Sequence, residues 1–377
     1  VDPETYKRLS LSPGDIIVEK SGGGEKQLVG RAVLFNGEEP SITSNFLARC
    51  RPSPNANPAF LNYLLLAIYN ARGTFPHLKQ STGIQNLDLG SLLDVRVRMP
   101  PLETQLRIAR FLDEKTTQID RLIEKKRALR DRLGEKLQTH ITRAVTKGLD
   151  PAASMKPSGI DWLGDIPAHW EVLPLKRKIL HIEQGWSPSA DERVASEDEW
   201  GVLKSGCVNG GVYDDRSHKT LPSLLEPRPY LEVLPGDILM CRASGSLKYI
   251  GSVALVAETR PRLMFSDKTY RLTLSRHSIE KRFFVYSMAS KHLREQIILS
   301  VSGAEGLANN IAQSSVGRYI HSFPPMKEQD QIANYLDRIS SWTDEVVSSV
   351  SMSIARLYEY RAALITSAVT GRLAELQ

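Results

Sequence analysis

The spacing of apolar residues changes character twice, and in the same way each time, along these 377 residues. Through residues 1–101, short β-rich runs at 15–19 and 29–35 alternate with turns marked by glycine and proline. One helix is predicted over about 58–71, where Pro58 suits the first turn and Asn57 the cap. After Pro100-Pro101 the texture changes. Residues 102–145 hold no proline and one glycine, Gly134. Their apolar residues fall at Ile108, Leu112, Ile119, Leu122, Leu129, Leu133, Leu137, Ile141 and Val145. Steps of three, four and seven dominate, which predicts a long amphipathic helix with an apolar seam. Both textures then recur. Runs at 237–241 and 251–256 and a helix over about 279–290 precede a second seam at Ile332, Leu336, Ile339, Val346, Val350, Ile354, Leu357 and Leu364.

The recurrence extends to residue identity. Pro13-Gly14-Asp15-Ile16 returns as Pro235-Gly236-Asp237-Ile238, 222 residues later, and Ser44 matches Ser266 at the same offset. From Gln85-Asn86-Leu87 against Asn309-Asn310-Ile311 the offset becomes 224, and it holds to Leu149 and Leu373. Pro100-Pro101, Gln105, Ile108-Ala109 and Leu112-Asp113 match Pro324-Pro325, Gln329, Ile332-Ala333 and Leu336-Asp337. The chain therefore contains an internal duplication. Each long helix would run roughly 65 Å at about 1.5 Å per residue, too far for a small domain to cover its stripe. The two copies supply helical partners to each other, the alternative being separate homodimeric coiled coils. The charges agree: residues 102–147 carry 12 basic and 7 acidic groups, residues 326–377 carry 5 and 7. The expected fold class is α+β, with two mixed α/β domains separated by a pair of long antiparallel coiled-coil helices.

Composition narrows the function classes. A hydrophobic fraction of 41% and a charged fraction of 24% are those of a globular protein. The longest apolar stretch, 60–71, is too short to span a membrane and carries Asn62 and Asn70. Cys50, Cys207 and Cys241 are far apart and form no CxxC pair, so no disulfide or cysteine-rich zinc site is expected and a cytoplasmic location is. The net charge of +6 favours a polyanionic partner only weakly.

No chemistry-bearing motif emerges. Asn57-Pro58-Ala59-Phe60 resembles a methyltransferase tetrad, but Lys281, Arg282, Phe283 and Phe284 take its place in the other copy, so a capped helix start is the better reading. Ser21-Gly22-Gly23-Gly24-Glu25-Lys26 lacks P-loop spacing and reads as a mobile loop able to approach DNA. Glu124-Lys125-Lys126 lies within the long helix and reads as surface charge. The eight histidines show no HxxxH or HExxH spacing. No catalytic residue, metal ligand or cofactor is assigned, which leaves recognition.

Three groups of residues carry a family resemblance. They are Pro100-Pro101-Leu102-Glu103-Thr104-Gln105 through Ile108-Ala109, its copy Pro324-Pro325-Met326-Lys327-Glu328-Gln329 through Ile332-Ala333, and Asp161-Trp162-Leu163-Gly164-Asp165-Ile166-Pro167-Ala168-His169-Trp170. With Pro235-Gly236-Asp237-Ile238, they make the chain resemble the specificity subunits of type I restriction–modification enzymes. The resemblance implies a non-catalytic subunit whose two target-recognition domains each read half of a bipartite double-stranded DNA site. It implies that the helices act as a ruler, and that methyltransferase and restriction endonuclease subunits join the complex. S-adenosylmethionine, ATP and Mg²⁺ would then belong to those partners. On this reading residues 1–101 are the first target-recognition domain, 102–147 the central helix, 148–325 the second domain and 326–373 the helix that pairs with the central one. The competing reading is a repeated coiled-coil scaffold whose domains bind proteins or peptides.

Base edges are read by hydrogen-bonding side chains and phosphates by Lys, Arg, Ser and backbone N–H groups, mostly from loops. In the second domain the candidates are Arg242, Ser244, Ser246 and Lys248, directly after the Pro-Gly-Asp-Ile strand, then Lys204, Ser205, Asn209, Lys219 and Lys268. In the first they are Lys20, Ser21, Lys26, Lys79 and Gln80. Asn86 and Asn310 recur at matched positions and read equally well as turn or cap residues. The second copy starts near Pro157, so roughly 65 residues, including the four tryptophans Trp162, Trp170, Trp186 and Trp200, have no counterpart in the first. The expectation is an N-terminally incomplete, less stable first domain in a fragment of a longer chain.

Overall fold

A computed structural model describes residues 2–23, 27–81, 84–302, 309–373 and 376. They form two compact units, one of Val1–Arg130 with Ser348–Gln377 and one of Asp131–Val347. The fold is α+β, and both long helices, Leu102–Lys147 and Met326–Val369, contribute residues to each unit.

In the first unit an antiparallel sheet takes the order Ala32–Leu34, Ile16–Glu19, Leu47–Cys50. Ile16 and Val18 alternate inward from the central strand. The turn before it requires its glycine: Gly14 has φ +93°, and the Asp15 carboxylate accepts the Ser12 N–H at 2.9 Å. Arg51 grips the same carboxylate at 2.8 Å and holds its pKa below the usual carboxylate range. The helix Pro58–Asn70 starts as its sequence predicts, with the Asn57 side chain accepting the Phe60 N–H at 2.9 Å. Phe60, Tyr63 and Ala67 bury against Ile108, Ala109 and Leu112 of the central helix and Ile365 and Ala368 of the C-terminal one. The two helices run antiparallel: Asp120 faces Arg361 at 3.1 Å, and further along Arg127 donates to the Tyr358 hydroxyl at 2.7 Å.

The second unit repeats this plan with additions. Its main sheet takes the order Ile179–Gln184, Thr269–Leu274, Ile238–Cys241, Val253–Leu255. The turn before Ile238–Cys241 matches the first: Gly236 has φ +92°, and Asp237 accepts the Leu234 N–H at 3.0 Å. A second sheet joins His218–Thr220, Gly201–Leu203 and Leu263–Met264. Glu171–Pro174 pairs with Ile320–Phe323. Helices Lys281–Ala289 and Lys291–Leu299 follow. The long helices are antiparallel here too, with His140 bonded to the Tyr335 hydroxyl at 2.8 Å. Trp170 is fully buried, Trp186 and Trp200 are partly buried against a core that includes Val202 and Leu239, and Trp162 stacks on His292 at the surface.

The structure explains why Gln105 and Gln329 recur. Both are buried. The Gln105 side-chain oxygen accepts the Asn57 N–H at 2.8 Å, and its amide donates to the Pro100 carbonyl at 2.8 Å. Gln329 does the same with the Glu280 N–H at 2.9 Å and the Pro324 carbonyl at 2.8 Å. About two helical turns further along each long helix, Tyr63 donates to Asp113 and Tyr286 to Asp337, each at 2.7 Å. Each pair of bonds locks a domain helix to the start of a long helix.

Two outcomes follow for stability. Gln329→Ala removes both partners of a buried N–H and C=O, so the chain should lose about 1–3 kcal/mol in chemical denaturation; an unchanged midpoint would show that the clamp adds nothing. His321 is fully buried, neither ring nitrogen has a partner among the described residues, and burial pushes its pKa down to about 3. Unfolded, it would titrate near 6.5. Between pH 6.5 and 3 the unfolded chain therefore binds the extra proton, and this residue's contribution to stability falls as pH falls. Denaturation midpoints of His321→Gln should decline less steeply below pH 6.5 than those of the parent chain.

Candidate nucleic-acid interface

In the second unit the expected residues form two neighbouring groups. Arg242 is half-buried, and its structure corrects the expectation of a free loop. The chain passes directly into a further strand, Ala243–Ser244. The Arg242 N–H donates to the Lys268 carbonyl at 2.8 Å. Its guanidinium donates to the Asp267 carbonyl at 3.0 Å and lies 5.6 Å from the Tyr270 ring, while Nε has no partner among the described residues. Ser244 Oγ accepts the Ser246 N–H at 3.1 Å, and Ser246 Oγ the Lys248 N–H at 3.3 Å. These hydroxyls tie the turn to itself. Arg294, which the sequence reading missed, supports it from below through the carbonyls of Ile250, Leu247 and Lys248. Lys248 projects outward with its ammonium 5.3 Å from the Tyr249 ring.

Lys268 sits beside Arg242 and 3.3 Å from the Asp267 carboxylate, which also accepts from the Ser187 hydroxyl. Lys204 and Lys219 converge on Glu192, with Lys204 3.6 Å away and Lys219 in hydrogen-bond contact. The Lys219 ammonium holds the Glu192 carboxyl below the usual range. Ser205 opens the turn Ser205–Gly211, in which Asn209 is exposed. That turn packs against Ile238–Cys241, Ala243–Ser244 and Val253–Leu255, which brings both groups to one region of the unit.

In the first unit Ser21, Lys79 and Gln80 share one three-stranded sheet of Ser21–Gly22, Ile84–Leu87 and Leu78–Ser81. Ser21 and Gly22 are strand residues rather than the mobile loop expected, because their backbone pairs with Asn86 and Gln85. Ser21 donates its hydroxyl to the Asn86 side chain. Lys79 lies opposite Asn86 with its ammonium 2.9 Å from Asp88, and Gln80 lies opposite Gln85. Lys20 is exposed, its N–H bonded to the Phe46 carbonyl at 2.8 Å. Lys26 lies outside the described residues.

The duplication maps this sheet onto Ala243–Ser244, Asn309–Ile311 and Val301–Ser302, where Asn310 stands opposite Ala243 as Asn86 stands opposite Ser21. Asn86 and Asn310 are therefore strand residues, which replaces the turn-or-cap reading. Both units thus present a small polar sheet directly after the Pro-Gly-Asp-Ile strand. Four of its surrounding lysines, Lys79, Lys204, Lys219 and Lys268, have a carboxylate at hand. Such exposed pairs are weak and open to exchange with a phosphate. Among the described residues no three His, Cys, Asp or Glu side chains gather as a metal site would, and no helix is long and apolar enough to cross a membrane.

Comparison with known proteins places these features. Residues 3–129 match the family model of the Type I restriction modification DNA specificity domain. The chain is 31% identical over 185 residues to the type I restriction enzyme EcoEI specificity subunit of Escherichia coli, across 49% of this chain and 31% of that protein. It is 22% identical over 369 residues to the EcoKI specificity subunit of Escherichia coli strain K12, across 96% of this chain and 75% of that one. A chain of a type I R-M system, solved to explain complex assembly and conformational transition, shares the fold with a TM-score of 0.70 at 16% identity, over 97% of this chain and 83% of that chain. Residues 3–129 thus match a type I restriction modification DNA specificity domain, and along nearly its whole length the chain is similar to the specificity subunits of type I restriction enzymes.

Proposed function

We propose that this chain reads a bipartite double-stranded DNA target, one half through each unit, and recruits the methyltransferase and restriction endonuclease subunits that act on it. Its relatives are named specificity subunits, and we read this chain as a non-catalytic subunit of the same kind. S-adenosylmethionine, ATP and Mg²⁺ are then requirements of the partner subunits, and the complex works in the cytoplasm.

The observation that carries the reading is the repeated polar sheet. A reader of two half-sites needs the same kind of element twice, built on the same scaffold but bearing different side chains. The first unit offers Ser21, Lys79 and Gln80 on this sheet with Lys20 beside it, and the second offers Ser244 on it with Arg242, Ser246, Lys248 and Lys268 around it. Lys204, Ser205, Asn209 and Lys219 extend the second surface through the turn packed beside it. Arg242 is the best-placed base reader, since an arginine fixed by a carbonyl and a ring loses little freedom on binding. Lys248 and Lys268 suit phosphates, which a flexible ammonium meets as a point charge. The long helices, each shared by both units, would fix the spacer between half-sites.

Competition binding to a library of duplexes tests the assignment. Arg242→Ala should cost about 1–3 kcal/mol on the preferred duplex and relax one position of one half-site, leaving the other half unchanged. Lys268→Ala should weaken all duplexes alike and make the salt dependence shallower. Unchanged affinity and preference in a folded Arg242→Ala chain would remove this surface from the interface.

A further inference from the structure

Beside Asp267 the second unit carries an arginine stacked on a tryptophan. The Arg228 guanidinium lies over the Trp186 ring, 4.0 Å from its centre. Arg228 is exposed, and among the described residues its guanidinium has no hydrogen-bond or ion-pair partner. In this it differs from Lys204, Lys219 and Lys268, each of which has a carboxylate at hand, and from the half-buried Arg242.

The backbone fixes both members of the stack. The Arg228 N–H donates to the Met264 sulfur at 3.1 Å, and its carbonyl accepts the Leu231 N–H at 2.9 Å. Arg271 holds the residues that follow, through the carbonyls of Tyr230 at 2.8 Å and Glu232 at 2.9 Å. The Trp186 N–H donates to the Phe265 carbonyl at 3.1 Å, and the ring packs on the core beneath. A Cβ at Gly185 would run into that same carbonyl oxygen, so the approach requires glycine. The stack also joins the surface already described. Ser187 donates its hydroxyl to the Asp267 carboxylate and accepts the Asp267 N–H at 3.1 Å, while Arg242 donates to the Asp267 carbonyl at 3.0 Å.

An exposed arginine ordinarily gives up rotamer freedom on binding; one held on a ring over a fixed backbone gives up little. Stacking occupies a face of the guanidinium and leaves the N–H groups in its plane available. Such a donor-only fork matches guanine, which presents two acceptors, N7 and O6, in the major groove, where adenine presents an acceptor and a donor.

We propose that Arg228, held in place by Trp186, reads a guanine in the half-site of the second unit through its N7 and O6. Arg228 is then a specificity-determining residue and Trp186 a positioning residue. The proposal rests on the reading of this chain as a DNA-binding subunit.

Selection from a randomised duplex library by the intact chain, and by its Arg228→Ala, Arg228→Gln and Trp186→Leu variants, tests it. The parent should demand a G·C pair at one position where the Arg228 variants lose about tenfold in preference, with every other position kept, including the one altered by Arg242→Ala. Trp186→Leu, which keeps apolar bulk, should weaken the preference at that same position. Replacing that guanine by 7-deazaguanine keeps the base pair and removes N7; it should weaken the parent several-fold and leave Arg228→Ala unaffected. The 7-deazaguanine result on the parent does not depend on any variant folding. A selected sequence unchanged in a folded Arg228→Ala chain would overturn this proposal alone, as would an even loss of affinity across all duplexes, which marks a phosphate contact. A parent chain that selects no sequence would overturn the DNA-reading assignment and this proposal with it.

Discussion

A long helix in water must cover its apolar stripe and also hold its domain in register. Both demands meet at one repeated junction in this chain. A buried glutamine at the first turn satisfies the N–H at the start of a domain helix and a carbonyl of its own Pro-Pro lead, and a tyrosine–aspartate bond secures the pair about two turns on. A buried unpaired amide is costly, so each junction has one satisfied geometry. The direction in which each domain helix leaves its long helix is thereby fixed. Everything presented by the domain, including the polar sheet after the Pro-Gly-Asp-Ile strand, inherits that orientation.

The second constraint is electrostatic. A surface that binds DNA through lysines alone would bind any sequence. Here Glu192 stands between Lys204 and Lys219, and Asp267 beside Lys268, while Arg242 is held by a backbone carbonyl rather than a carboxylate. The lysines can exchange their partners for phosphates, whereas the arginine keeps its position. That division suits one group to strength and the other to discrimination.

Much of this is legible in the sequence. The apolar seams, the Pro-Pro stops, the Pro-Gly-Asp-Ile turns and the Asn57 cap are local signals, and the repeat multiplied each of them. The roles of Gln105 and Gln329 were visible as recurrence but not as chemistry, because their partners lie 48 and 49 residues away. The strand at Ser21–Gly22 was illegible for the same reason: two residues with two glycines after them read as a loop until Gln85 and Asn86 arrive to pair with them. Arg294 gave no sign of its role, since it lies on a helix far along the chain from the turn it supports. Which of the candidate side chains meet DNA depends on loop geometry of this long-range kind.

The central claim is that two copies of one scaffold read two separate half-sites. Selection from a fully randomised duplex library by the chain assembled with the methyltransferase subunits it is proposed to recruit, followed by sequencing, tests it most directly. The account predicts two short conserved blocks separated by a fixed number of unconserved base pairs, one block altered by Arg242→Ala and the other by substitutions at Lys79 and Gln80. A single contiguous block, or one altered by substitutions in both units, would contradict it.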